Sequence, residues 1–344
     1  MRARRHLAVA VLFIWLLLPG LAAPRAQAAS ADLLQKVLDQ GRLRCGVSKF
    51  IPGLAVQDKS GAWSGMDVDV CRALAAALFG SADKARFVPL SAVERFPALL
   101  AGRVDLISGS TTWTLAREVG LKVSFVGPVV FSAQRVVVRA DSDITSLAQL
   151  QNRDICVTRG TTHVQHLRAY FSAKGFTLRA KPAESHIEAR AAFEAGTCAG
   201  LSADEAALAS MVPAGAAQPL YRLLPETISN EPLSAVLPAG NPGLERVVRW
   251  VLFMLISAES NGIDQRTAAS LQPCSPADVI AANARRYGPA MGLSPGWAER
   301  AVAAVGNYGE IFERNLGSGS AIGLARGVNR PADQGGMLYS PPLH

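Results

Sequence analysis

The sequence predicts an α/β layer fold in two similar halves that face each other across a cleft. Three observations carry this. Helix-period segments alternate with short strand-like runs; the pattern restarts near residue 133; and in each half a strand ends in a polar turn that opens a helix. The chain has 344 residues, 49% apolar and 18% charged, enough for two domains with a substantial core and too apolar for disorder.

Residues 1–28 read as a signal peptide. Arg2, Arg4 and Arg5 form a positive start, "LAVAVLFIWLLL" an apolar run, and Ala26-Gln27-Ala28 a small-x-small cleavage site. The apolar run is shorter than the ~20 residues that a spanning helix needs. No Cys stands at the cleavage site for lipid attachment, since the first is Cys45. The expected product is a soluble protein in the periplasm of a Gram-negative bacterium. Removing the leader takes four arginines with it and leaves 31 basic against 27 acidic side chains. No basic cluster interleaved with aromatic residues remains, so nucleic-acid binding has no support.

"ADLLQKVLDQGRLRCGVS" then reads as a short helix, a turn at Gly41 and a strand. "GAWSGMDVDVCRALAAALFG" is a glycine turn, a helix with Asp residues at its start, and a glycine stop. "ARFVPL" is strand-like, and "AVERFPALLAGRVDLISGS" gives helix, turn and strand. Such alternation predicts a mostly parallel sheet. From residue 133 a strand, a polar linker, a helix, a second strand ending in a turn and another helix follow. "HIEARAAFEAGTCAGLSADEAALAS" mirrors "VERFPALLAGRVDLISGSTTWTLAR", and "AVLPAGNPGLERVVRWVLFMLISAESNGI" adds a strand, a turn and a long amphipathic helix. In open α/β sheets ligands bind beyond the carboxyl ends of strands, so two facing ends make a cleft.

Export makes the five cysteines disulfide candidates. Pairing neighbours gives Cys45–Cys71 and Cys156–Cys198 and leaves Cys274 over, although other pairings and buried free thiols stay open on spacing alone.

The chemistry concentrates at "ISGSTTWTLAR", where five hydroxyl side chains crowd around Trp113 before Arg117. A zwitterionic amino acid needs an Arg and backbone N–H groups for its carboxylate, and an acid for its ammonium. Arg117, Thr112 and Thr114 stand at the first polar turn, Thr161 and Thr162 at a helix start in the second half, and Asp204 at a turn one strand later. A helix cap for Asp204 and a solvated cation for Arg117 are the plain alternatives. His163 and His166, three apart on a predicted helix, lack a third metal ligand; a surface or cleft-edge position is expected, with His163 near enough to touch a ligand. "GLSAD" lacks the closing Gly of a nucleophile elbow. The tail, residues 317–344, carries no motif and is expected to wrap over the first half.

"GMDVDVCRALAAALFG", "PLSAVERFPALLAGRVDLISGSTTWTLAREVG", "ICVTRGTT" and "VGNYGEIFERNLGSGSAIGLARGVN" resemble the periplasmic general L-amino-acid-binding proteins of bacterial polar amino acid ABC importers, solute-binding protein family 3. The resemblance runs over nearly the whole mature chain. It implies a two-lobed type II periplasmic-binding-protein fold with an interlobe cleft and two crossovers, near residues 133–136 and 231–235. Residues 29–134 and 235–344 would form one lobe and 135–234 the other. It implies Arg117 for the ligand carboxylate, donors from Thr112 and Thr162, and Asp204 with Ser110 for the ammonium; Trp113 and Thr161 complete the expected ligand set. The family commonly has Arg-Asn at Gly109-Ser110 and Asp-Gln at Asp204-Glu205. Glu205 therefore suggests a cationic or polar ligand. The implied protein is a non-enzymatic monomer without metal or cofactor that hands L-amino acids to an inner-membrane permease. A periplasmic dehydratase on the same fold, or a ligand-presenting partner of a membrane sensor, are the alternatives.

Overall fold

The computed structural model describes residues 32–212, 219–268 and 276–343; the predicted leader and Cys274 lie outside the described residues. The first lobe opens with α1 (Leu33–Asp39), β1 (Leu43–Ser48), the small β2 (Val56–Gln57) and β3 (Trp63–Ser64) pair, and α2 (Met66–Phe79). It continues through β4 (Ala85–Leu90), α3 (Arg95–Leu100), β5 (Leu106–Ile107) and α4 (Leu115–Leu121) into the long β6 (Val123–Arg139). The second lobe holds β7 (Asp154–Thr158), α5 (His163–Ala173), β8 (Arg179–Ala183), α6 (His186–Glu194), β9 (Gly200–Asp204), α7 (Glu205–Ala209) and β10 (Tyr221–Leu223). The chain then passes along β11 (Ser229–Pro238) to α8 (Pro242–Ser260), α9 (Pro276–Tyr287), α10 (Trp297–Val305) and α11 (Tyr308–Asn315).

The main sheet runs β4-β1-β5-β11-β6-β9-β7-β8, with β10 also on β6. Strands β4, β1 and β5 are mutually parallel, as are β9, β7 and β8. The expectation of a mostly parallel sheet thus holds inside each lobe and fails between them. Strands β6 and β11 pair antiparallel with each other and with their outer neighbours. An antiparallel pair is what two chains crossing in opposite directions must form. The handover falls at Gln134, which pairs with Ser229 on β11 and with Asp204 on β9.

Helix α2 is buried on almost every side, and its run of alanines lets α10 and β1 approach closely. The largest core packs α2, α8, α10 and α11 on the first-lobe sheet. In the second lobe Ile155 and Val157 enter one core and Cys156 the other, because alternate side chains of a strand take opposite faces. Cys45 is bonded to Cys71, tying β1 to α2, and Cys156 to Cys198, tying β7 to the turn before β9.

Candidate functional site

A small cavity of about 70 Å³ lies between the lobes, beyond the carboxyl ends of β1, β5, β7 and β9. Its walls include Lys49, Ser91, Arg95, Ser110 and Thr112 from the first lobe and Thr161, Thr162, His163, His186 and Asp204 from the second. Five of the seven predicted ligand residues, Ser110, Thr112, Thr161, Thr162 and Asp204, therefore meet at one place.

The hydroxyl-rich turn has its own local logic. Gly109 and Ser110 both take positive φ, +56° and +46°. A Cβ on Gly109 would stand 2.1 Å from Asp67 Oδ1, so only glycine fits. Ser110 Oγ donates to Asp67 Oδ2 at 2.5 Å, and Ser108 Oγ to the Asp67 carbonyl at 2.7 Å. Asp67 is fully buried, and burial pushes its carboxyl up to about 8 although Ser110 and the charge of Arg95 pull the other way. Thr111 Oγ1 accepts from Arg95, Thr112 Oγ1 lies 3.4 Å from Thr162 Oγ1 across the cleft, and Thr114 caps α4. The crowded hydroxyls bind the protein's own groups as well as lining the cavity.

Arg95 is the cation that sequence reasoning missed. It starts α3, only 7% exposed, and donates to Ser110 O at 2.8 Å and Thr111 Oγ1 at 3.0 Å. Its Nε has no partner among the described residues. Burial, helped by the nearby charge of Arg117, pulls its guanidinium down to about 9, against the pull of Asp204 and Asp67. Nothing in "VERFPALL" distinguishes a buried arginine from a solvated one at a helix start.

Arg117 does not line the cavity; it sits beside it. Its Nη1 donates to Thr112 O at 2.8 Å and its Nη2 to Gly160 O at 3.3 Å, and burial lowers it against the attraction of Glu231 and Asp204. Arg95 Nη2 reaches the same Gly160 carbonyl at 3.5 Å. Gly160 has φ +77°, and a Cβ there would lie 2.8 Å from Val93 Cγ1, so glycine permits the lobes to touch.

Asp204 ends β9 and caps no amide with its side chain. Burial would raise its carboxyl, but His163, Arg95 and His186 outweigh this and hold it below its ordinary value. His163, 4% exposed, places Nε2 3.5 Å from Asp204 Oδ1, and its Nδ1 has no partner among the described residues. His186 is pulled down to about 4 by burial and by His163 and Arg190, against Asp204. His166 instead faces Glu231 on β11 at 2.8 Å, so the two histidines do not converge on one point.

Two residues singled out in the sequence lie away from the cavity. Trp113 lies outside the cavity, stacked 5.8 Å from Phe125 with Nε1 bonded to Glu118. Thr112 is bridged to Leu233, and in extended chain the next side chain turns to the opposite face. Glu205 also lies outside, paired with Arg135 at 2.5 Å, so its charge is answered within the protein. Ser202 of the elbow-like "GLSAD" is fully buried between Gln134 and the Arg135 carbonyl.

The bacterial extracellular solute-binding proteins, family 3, match this chain over residues 43–264. A general L-amino acid-binding periplasmic protein of Rhizobium johnstonii is 36% identical over 92% of this chain and 94% of its own length. A glutamate/glutamine/aspartate/asparagine-binding protein of Rhodobacter capsulatus is 37% identical, covering 94% and 97%. Among solved structures, an ABC transporter periplasmic binding protein from Brucella ovis with glutathione bound superposes with TM-score 0.86 at 36% identity, over 91% of this chain and 100% of that one. The fold, with two crossing strands between two lobes, agrees with the sequence match, and the chain belongs to family 3 of the bacterial extracellular solute-binding proteins.

Proposed function

We propose that this protein captures L-amino acids with an acidic side chain, glutamate and aspartate above all, for a membrane importer. It is the periplasmic substrate-binding component of an amino acid ABC importer. Residues 29–134 and 235–344 act as one lobe and 135–234 as the other, after loss of a leader at residues 1–28. The working form is a monomer that carries out no chemistry on its cargo.

The observation that carries the side-chain reading is Arg95, a buried guanidinium on the cavity wall with a free Nε and Lys49 nearby. A buried cation is stable only with a partner, and here an incoming carboxylate supplies one. Asp204, held ionised, receives the α-ammonium. The α-carboxylate lies against Thr112 and Thr162 at the start of α5, where helix N–H groups favour negative charge, with Arg117 beside them. Hinge bending at β6 and β11 brings the second-lobe groups to the ligand, and the ligand supplies the free-energy difference between open and closed forms. The R. capsulatus relative is named for two acidic amino acids and their amides, and the B. ovis protein holds glutathione, which also carries two carboxylates.

Calorimetry with the twenty L-amino acids and glutathione tests the reading. Glutamate or aspartate is expected to bind tightest, and Arg95→Met to weaken them more than it weakens glutamine. Tightest binding of arginine or lysine would refute it.

A further inference from the structure

The C-terminal segment lies beyond the family-matched region and touches the cleft nowhere, yet it grips one of the two crossing strands. Strand β9 pairs with β6 only from Gln134 onward, so on that side β6 has no strand neighbour through Val129 and Phe131 among the described residues. C-terminal side chains take the vacant positions. Tyr308 Oη donates to Val129 O at 2.8 Å. Asn329 accepts from Phe131 N at 2.7 Å and donates to Phe131 O at 2.8 Å, so one amide satisfies both backbone groups as a strand would.

Asn329 is itself held. Arg326 donates to the Asn329 carbonyl at 2.6 and 2.9 Å and forms a two-point ion pair with Glu259 at the end of α8. The Arg326 guanidinium also lies over the rings of Tyr308 and Phe312, 5.6 and 5.4 Å from their centroids. The chain of contacts runs from α8 through Arg326 and Asn329 to Phe131. One residue on, Ser132 Oγ accepts from the Ala206 amide of α7 in the second lobe at 3.4 Å, and two further on Gln134 pairs with Asp204.

We infer that residues 326–329 form a strap that pins the first-lobe side of β6 and confines hinge bending to residues 132–134, thereby setting how far and how often the empty protein opens. The strap touches none of the cavity-lining residues, so it acts on the open–closed balance rather than on ligand contacts.

The test compares interlobe distance distributions of ligand-free wild type, Asn329→Ala and Asn329→Asp. Spin labels on exposed residues of α1 and α6 report the distances by pulsed dipolar spectroscopy, and hydrogen exchange reads the Phe131 amide. Asn329→Asp keeps the acceptor for Phe131 N–H and loses the donor, which guards against an alanine variant that does not fold. The expected result is a broadened or shifted distribution in each folded variant, with Phe131 exchange faster by about tenfold in Asn329→Ala alone, the scale of one net buried hydrogen bond. Distributions that match wild type, even with a lowered melting temperature, would reduce the strap to a passive tie and overturn the inference. No ligand enters the measurement, so its outcome is separate from whether the cleft prefers glutamate.

Discussion

At Gly109 a single methyl group tests the turn. Gly109→Ala must hold positive φ and displace Asp67, so it is expected to cost ~1–3 kcal/mol from the backbone alone and more from the contact. An unchanged urea midpoint would show that the turn relaxes freely. Asp67 adds a pH dependence. Its folded value of about 8 stands above the ordinary 3.8, so between these values the native state holds a proton that the unfolded chain gives up. Its contribution is complete below about 4 and is lost as pH rises toward 8. Asp67→Asn should remove this slope, and urea midpoints that stay parallel for the two proteins from pH 5 to pH 8 would refute the assignment. Arg117→Ala and Asp204→Ala are each expected to weaken glutamate binding by ~2–5 kcal/mol, the cost of truncating one member of a buried charge pair. Near-wild-type affinity by calorimetry for both would remove them from the site. The turn residues were legible because hydroxyls, Arg and Asp at strand ends form a local pattern. Arg95 was not, because its burial is created by Gly160 and Thr111, which lie far from it in sequence.

Among the elements, strand β7 depends on a covalent tie. The Cys156–Cys198 bond closes 42 residues, and replacing both cysteines by alanine should cost ~3–4 kcal/mol by the loop-entropy argument. A loss near zero would mean that pairing with β8 and β9 alone fixes the strand. Neighbour pairing of the cysteines agrees with the structure, although spacing alone left other pairings open, because the tie between β7 and the turn before β9 reaches across α5, β8 and α6. Strand β6 was only half readable. Its strand signal starts at residue 133, while the structure extends it back to Val123 through Gly127-Pro128, residues that ordinarily mark a turn. Pairing with β11 and the C-terminal side chains carries the strand through that break.

For the whole molecule, ligand binding and stability are one measurement. A ligand that binds only the folded protein adds about 2.7 kcal/mol at one hundred times its Kd, so saturating glutamate should raise the melting temperature of wild type and much less that of Asp204→Ala. Equal shifts would place the binding elsewhere. The two-lobed plan was legible because the helix–strand pattern restarts, whereas the grip of the tail on β6 joins residues almost 200 positions apart and leaves no local sign. The Gly160 carbonyl has a consequence at this scale as well. It occupies two first-lobe arginines from the second lobe, standing in for the negative charge that cargo would bring. The shut form is therefore partly self-satisfied. Contact between the lobes at this point thus rests on one backbone carbonyl shared by two guanidinium groups.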